Sequence, residues 1–186
     1  MNSLNLQNNI VYVFYCEHKE VETYLGKKLE AKKMIRYFFD KYEELKEVIV
    51  TKNKEGKPEL SDPQINISIS NSKQITVCAI SKSAIGIDLE FKRIVEEGSF
   101  EFISKLYGKY FKIRNLRDWV KLESSLKLRN LKLESEGKGE GKGDLELHNI
   151  KHLELKIDSR YITYLSLNKE KNTAGTTCYM HKYTIE

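Results

Sequence analysis

The chain has 186 residues, enough for one globular domain or for two small halves that share a core. Hydrophobic residues make up 40% and charged residues 32%, and the net charge of +5 favours anionic partners without requiring nucleic acid. There is no long apolar run, no recognisable signal peptide and no paired cysteine pattern, which argues against a membrane-spanning or disulfide-rich secreted protein, so we expect a cytoplasmic one.

The first half is predicted to contain a strand, a long helix and then several short strands. Residues 10–15 are rich in β-branched and aromatic side chains, which favours a strand, whereas residues 21–45 carry apolar side chains at helical spacing. Residues 53–58 are typical of a turn. The short strands are expected at 47–51, 65–70, 75–80 and 85–89. Polar turns separate the last three, which predicts an antiparallel meander.

The second half follows the same pattern of helices and then strands. Helical spacing covers residues 100–110 and 116–133, and glycine at every second position of residues 137–143 predicts a flexible loop. Three further strands are expected at 145–157, 161–167 and 176–185. We therefore predict an α+β protein of two pseudo-symmetric halves, residues 1–91 and 92–186, each a small antiparallel sheet packed with a long helix.

Two carboxylates, Asp88 and Glu90, lie one residue apart in a predicted strand. Because side chains alternate along a strand, both should point to the face opposite Ile87 and Leu89. Neighbouring carboxylates repel each other unless a cation lies between them, and oxygen ligands suit Mg²⁺ or Mn²⁺. A third carboxylate, Glu123, follows on a predicted helix. These three residues are candidate ligands of a divalent metal, which often accompanies phosphate chemistry.

Each signal, taken alone, also has an ordinary structural interpretation. A carboxylate pair is more often the polar rim of a solvated strand than a metal site. Glu123 precedes Lys127 by four residues, the spacing of an ion pair on a helix surface. Trp119 is more typical of a core residue. By itself, the segment GKP (56–58) is a turn, and the tract SISNS (68–72) is a strand end followed by a polar turn.

Together, and in this order, the motifs resemble those of the 4′-phosphopantetheinyl transferases of the type that activates peptide synthetases. The resemblance covers about residues 47–167. It includes GKP (56–58), a Ser-x-Ser tract (70–72) and GIDLE (86–90). It also includes the spacing of three later residues: Trp119, Glu123 and Lys127. GIDLE with the spaced tryptophan and glutamate is the specific part.

The resemblance implies two α+β halves with coenzyme A bound in the cleft between them. Mg²⁺ would be held by Asp88, Glu90 and Glu123 and would offset the charge of the coenzyme A diphosphate. A serine of an acyl or peptidyl carrier protein would attack the β-phosphate, and its proton would pass to Glu123 or to a water molecule on the metal. The 4′-phosphopantetheine group would thereby be transferred to the carrier protein.

The resemblance also assigns residues to coenzyme A itself. Lys57 and Lys127 would contact its phosphates, and Ser70 and Asn71 match the tract that touches its nucleotide end. Asn71 stands where the family has histidine. Leu122 stands where the family has the lysine before its glutamate. Both changes should weaken binding of the coenzyme A phosphates, because each removes a basic side chain.

The family also uses a basic stretch before its first long helix, and no such stretch is found here. Five basic residues of the predicted helix either substitute for it or form a solvated helix face: Lys27, Lys28, Lys32, Lys33 and Arg36.

Two other functions compete with the active transferase. A non-catalytic relative would bind coenzyme A or a carrier protein without transfer, which the changes at Asn71 and Leu122 favour. A basic module for nucleic acid would use the lysines at 27–36 and 138–142, but these are interleaved with acidic residues. The histidines and cysteines lack the paired spacing of a zinc site. We expect a monomer without nucleic acid or membrane as partner.

Overall fold

The computed structural model describes residues 9–18, 23–42, 45–54, 57–96, 98–108, 111–131, 147, 149–170 and 175–184. In chain order the elements are β1 (Ile10–Glu17), α1 (Tyr24–Phe39), β2 (Val50–Lys52), β3 (Pro58–Leu60), β4 (Asn66–Ser72), β5 (Ile75–Ser81), β6 (Ile85–Phe91), α2 (Glu101–Tyr107), α3 (Leu116–Leu128), β7 (Ile150–Glu154), β8 (Tyr161–Asn168) and β9 (Thr177–Tyr183). The predicted α+β class is confirmed. Across the described ranges, no helix is long and apolar enough to cross a membrane.

The strands form three sheets in the described residues. The first sheet has the order β4-β5-β1-β9, the second has the order β6-β8-β7, and β2 pairs with β3 in a small hairpin. All pairs are antiparallel except β1 with β9, which run parallel.

The predicted meander is confirmed for β4 and β5 and wrong for the strand that follows them. Asn66 lies opposite Ser81 in the β4–β5 pair, but β6 leaves this sheet and pairs with β8, with Ile85 opposite Leu167. In return, β9 pairs with β1. Both exchanges cross residue 91, so the division into halves 1–91 and 92–186 stays a prediction. A short polar turn permits a hairpin but does not enforce one, and burial on both faces draws β6 into the second sheet.

In the first sheet, β1 and β5 contribute to a core on each face, because their side chains alternate, whereas β9 is mostly exposed. Phe14 and Cys16 of β1 pack in a core shared with α1, which contributes Phe38 among others. Val11 and Val13 point the other way, into a core shared with β6 and β8 of the second sheet. Helix α3 packs on the far side of the second sheet. The site described below lies where β6 meets α3.

Several element boundaries differ from those predicted. α1 begins after Thr23, whose hydroxyl accepts a hydrogen bond from the Gly26 N–H at 3.2 Å, and it ends before residue 45. α3 ends earlier than predicted, and Asn130 just beyond it has a left-handed φ of 55°. Strand β3 was not predicted, and its first residue, Pro58, falls at the end of the predicted turn. The predicted glycine loop at 137–143 lies outside the described residues.

Candidate functional site

β6 carries Asp88 and Glu90 on the same face as Gly86, as the alternation predicts. Gly86 lies directly against α3: a Cβ atom there would be 1.9 Å from the Ser124 carbonyl oxygen and 2.4 Å from the Leu128 nitrogen. Only glycine fits such a close approach of helix and strand. The glycine of the GID motif therefore sets the distance at which α3 presents its side chains to Asp88.

Lys127 is the direct partner of Asp88. Its ammonium lies 2.7 Å from Asp88 Oδ1 and 3.4 Å from the Ile69 carbonyl oxygen. Asp88 is only 5% exposed, so its charge depends on this contact and on the Ser70 hydroxyl, which donates to the same oxygen at 2.8 Å. The structure thus brings together three predicted site residues from two strands and a helix.

The serine tract of β4 joins the two sheets. Ser70 Oγ, besides donating to Asp88, accepts a hydrogen bond from the Leu89 N–H at 3.3 Å. Two other β4 hydroxyls accept from β6 in the same way, each at 3.0 Å: Ser68 from Ile87 and Ser72 from Phe91. The Ser70 side chain is buried and serves to hold Asp88. Its predicted contact with a nucleotide stays a prediction.

Glu123 and Glu90 complete the acidic cluster. Burial, followed by the negative charge of Asp88, raises the pKa of Glu123 to about 7, with Lys127 opposing and Glu90 adding to the rise. Glu90 Oε2 accepts from the Ser72 hydroxyl at 3.0 Å and from Arg93 at 3.2 Å. Arg93 was not predicted, because nothing in the sequence distinguishes it from a surface arginine. The cluster thus contains three carboxylates and two cationic side chains: Asp88, Glu90, Glu123, Lys127 and Arg93.

The three carboxylates Asp88, Glu90 and Glu123 are ligands of the type that divalent cations prefer. Their candidate ligand atoms are carboxylate oxygens, and burial, together with the negative charges of Asp88 and Glu90, raises the pKa of Glu123. Within the described residues, however, no three His, Cys, Asp or Glu side chains are arranged so that they could hold a metal ion. Lys127 already contacts Asp88, so a metal on that carboxylate would compete with the ammonium.

A basic cavity of about 650 Å³ lies on the other face of β4, against α1. We call it the lysine cavity, because Asn71 shares its lining with four lysines: Lys27, Lys28, Lys32 and Lys52. Asn71 is exposed and points into this space, as a ligand-binding side chain must. Lys52 was missed because its strand has only three residues, too few to show which side chains share a face.

The other basic residues of α1 are engaged elsewhere. Lys33 pairs with Glu30 at 2.8 Å, and Arg36 pairs with Asp40 at 2.6 Å. Lys57 lies next to Pro58, which lines the lysine cavity, and its backbone N–H donates to Asn53 Oδ1 at 3.0 Å. Gly56 of the GKP segment lies outside the described residues. The basic face of α1 is therefore divided between the lysine cavity and ordinary ion pairs.

Leu122 and Trp119, the two remaining positions of the predicted motif, pack against other residues of the protein. Leu122, at the position where the resemblance predicts a lysine, is fully buried in the core between α2 and α3. Lys121 next to it lies 5.0 Å from the ring centroid of Tyr164. Trp119 is half-buried, with its ring centroid 6.2 Å from that of Phe100, so it fits the core interpretation.

Comparison with models of known protein families finds none that matches this chain, and comparison with curated protein sequences finds no match. The functional argument therefore depends on the arrangement of the residues themselves.

Proposed function

We propose that this protein transfers the 4′-phosphopantetheine group of coenzyme A to a serine of an apo acyl or peptidyl carrier protein. One observation carries the proposal: Asp88, Glu123 and Lys127 meet between β6 and α3, and they have the sequence spacing of the 4′-phosphopantetheinyl transferases. The proposal includes the fold of that family, two pseudo-symmetric α+β halves, in a monomer that acts in the cytoplasm.

The lysine cavity supports coenzyme A as the donor. Its four lysines supply positive charge for the phosphates at the nucleotide end, and the Asn71 amide can donate a hydrogen bond to them. Asn71 and Ser70 are neighbours whose side chains point to opposite faces of β4. One faces the lysine cavity and the other faces Asp88, so a long ligand such as coenzyme A could reach both places.

The reaction would form one P–O bond and break another. The serine oxygen of the carrier protein attacks the β-phosphorus of coenzyme A, and the bond from that phosphorus to the bridging oxygen breaks, which releases adenosine 3′,5′-bisphosphate. Glu123 accepts the serine proton, and without a metal its pKa of about 7 leaves it ionised in weakly alkaline solution. Lys127 balances negative charge on the diphosphate. Asp88, Glu90 and Glu123 would hold Mg²⁺ only after they move closer together and Asp88 releases Lys127, and the metal would then supply further charge neutralisation.

Ligand-dependent thermal unfolding tests the binding site without knowledge of the carrier protein. Coenzyme A at about a hundred times its dissociation constant should stabilise the protein by roughly 2.7 kcal/mol, and the effect should require Mg²⁺. Dephospho-coenzyme A should stabilise less if the lysine cavity holds the 3′-phosphate. In the Asp88→Asn variant the Mg²⁺-dependent stabilisation by coenzyme A should disappear, whereas the surface control Asp62→Asn should keep this stabilisation. Absence of stabilisation by either ligand would contradict the proposal.

Mass spectrometry of a panel of apo carrier proteins tests the transfer itself. An active enzyme adds one phosphopantetheine group to its target serine, and Asp88→Ala should abolish this addition. The second candidate function is a relative that binds coenzyme A or a carrier protein without transfer, which the buried Leu122 favours because a basic side chain is missing from the site. Mg²⁺-dependent binding of coenzyme A without modification of any carrier protein would support this alternative.

A further inference from the structure

A second cavity, of about 760 Å³, lies between α1 and β9. We call it the aromatic cavity, since six of its lining residues have aromatic rings: Phe14, Tyr37, Phe38, Tyr42, His181 and Tyr183. The rings pack against one another across its walls. Tyr37 and Tyr183 have centroids 5.0 Å apart, and Phe38 and Tyr42 have centroids 4.7 Å apart. Such walls suit a planar ring as ligand.

Among the described residues, Glu30 is the one carboxylate that lines the aromatic cavity. Its side chain is only 10% exposed, and its Oε1 atom accepts from Lys33 Nζ at 2.8 Å. Its Oε2 atom is buried and has no hydrogen-bond partner among the described residues. A buried acceptor without a partner is unfavourable and calls for an explanation. A ligand with an N–H or O–H group on its ring would supply the missing donor once the Glu30 side chain turns its Oε2 atom toward the cavity.

The remaining charges at the aromatic cavity are positive. Three lysines line it, against the single carboxylate: Lys33, Lys41 and Lys182. Lys41 Nζ lies 4.2 Å from the centroid of the Tyr37 ring, and Lys182 lies 3.8 Å from Glu17 Oε2. Lys33 and Lys182 are more than half exposed, so they mark the mouth of the cavity. The excess positive charge favours an anionic group on the ligand.

We propose that the aromatic cavity is a binding site for a small aromatic anion that carries a hydrogen-bond donor on its ring. The ring packs against the aromatic walls, the donor reaches Glu30, and the anionic group lies among the lysines. No lining residue is shared with the lysine cavity, which lies on the other side of α1. The inference therefore does not depend on the proposed transfer reaction.

Ligand-observed NMR with 4-aminobenzoate tests this site in the 186-residue chain. 4-Aminobenzoate should bind saturably, and 4-methylbenzoate, which has the same shape without the donor, should bind at least about tenfold more weakly because a hydrogen bond to a charged group is lost. 4-Methylaniline, which lacks the anionic group, should also bind more weakly. Coenzyme A should leave the dissociation constant of 4-aminobenzoate unchanged.

Two variants assign the binding to this cavity. Glu30→Met removes the acceptor while it keeps the apolar stem, so the preference for 4-aminobenzoate over 4-methylbenzoate should disappear. Tyr37→Ala should weaken the binding of both compounds. This variant should still fold, because Tyr37 is 49% exposed. The exposed control Glu59→Gln should leave the binding of both compounds unchanged. Either the absence of saturable binding or an unchanged preference in folded Glu30→Met would overturn the proposal.

Discussion

Gly86 determines how closely α3 approaches β6. The Ser124 carbonyl and the Leu128 nitrogen occupy the space in which any other residue would place its Cβ atom. Both are backbone atoms of a helix that packs against the second sheet, so neither can rotate away as a side chain could. The contact between Lys127 and Asp88 depends on this distance.

Gly86→Ala should therefore destabilise the protein strongly. We expect a loss of about 3 kcal/mol or more in the free energy of unfolding, measured by urea denaturation, because overpacking here pushes on backbone. Gly175→Ala is a useful comparison: its φ is 87°, but nothing lies within 4 Å of the new Cβ atom. It should lose only about 1–2 kcal/mol from backbone strain. Equal losses in the two variants would contradict the close approach at Gly86.

Glu123 should make the stability of the metal-free protein depend on pH. Its pKa rises from the ordinary 4.5 to about 7 on folding, so between these pH values the folded protein holds a proton that the unfolded chain releases. The free energy of unfolding should fall over this range by up to roughly 3 kcal/mol. Glu123→Gln cannot ionise, so it should remove this fall and be the more stable protein at about pH 8.

Urea denaturation across the pH range, with a chelator present, measures this difference. Asp118→Asn, on the same helix, is the control and should keep the parent's pH dependence. Parallel stability curves for the parent and Glu123→Gln would show that Glu123 is not held neutral by its surroundings. Glu123→Gln should also abolish transfer, if the proposed reaction is correct, because glutamine cannot accept the serine proton.

At the scale of elements, β4 performs two tasks because its side chains alternate. Ile67 and Ile69 pack toward α1, whereas three serines point to β6 and bind its backbone N–H groups: Ser68, Ser70 and Ser72. These hydroxyls take the place of a backbone ladder between the edges of the two sheets. Hydroxyl side chains at this spacing are needed because an apolar side chain would leave the N–H groups of β6 without acceptors.

Ser70→Ala should reveal this role. It leaves both the Leu89 N–H and Asp88 without the hydroxyl, and we expect a loss of about 1–3 kcal/mol in the free energy of unfolding. Ser99→Ala, at an exposed position, should lose almost nothing. Chemical denaturation of both variants gives the comparison. If Ser70→Ala were as mild as Ser99→Ala, the serine tract would not be joining the sheets.

At the scale of the whole molecule, the two sequence halves exchange strands. β6 lies before residue 91 but pairs with β8, and β9 lies near the chain end but pairs with β1. The core between the two sheets consists of residues from both sides of this boundary. Neither half can bury its apolar strands alone, so we expect one cooperative unfolding transition for the whole chain.

A fragment of residues 1–91 should therefore fail to fold by itself. Circular dichroism and NMR should show no cooperative unfolding transition, because β6 lacks β8 and β1 lacks β9. Mixing this fragment with residues 92–186 should restore structure if the two associate. A fragment 1–91 that folds cooperatively alone would establish it as an independent domain.

Local periodicity located most helices and strands, because burial of one face imposes a period of 3.6 or 2 on the sequence. Their ends were harder to predict: α1 and α3 are both shorter than their apolar patterns, since caps and left-handed residues end a helix. At the candidate site, Asp88, Glu123 and Lys127 were predicted from motif spacing, and the structure places them close together. The motif spacing did not predict the hydrogen bond from Ser70 to Asp88 or the ion pair of Arg93 with Glu90, because both contacts depend on packing.

The sequence by itself determined the α+β class, the alternation that places Asp88 and Glu90 on one face of β6, and the acidic and basic residues available to a site. The tertiary structure alone decided which sheet β6 joins, that Lys127 is the counterion of Asp88, and that Leu122 is buried in the core. It also revealed the lysine and aromatic cavities on the two sides of α1. Periodicity reports which face of an element is buried, whereas a contact between distant residues exists only once the layers have packed.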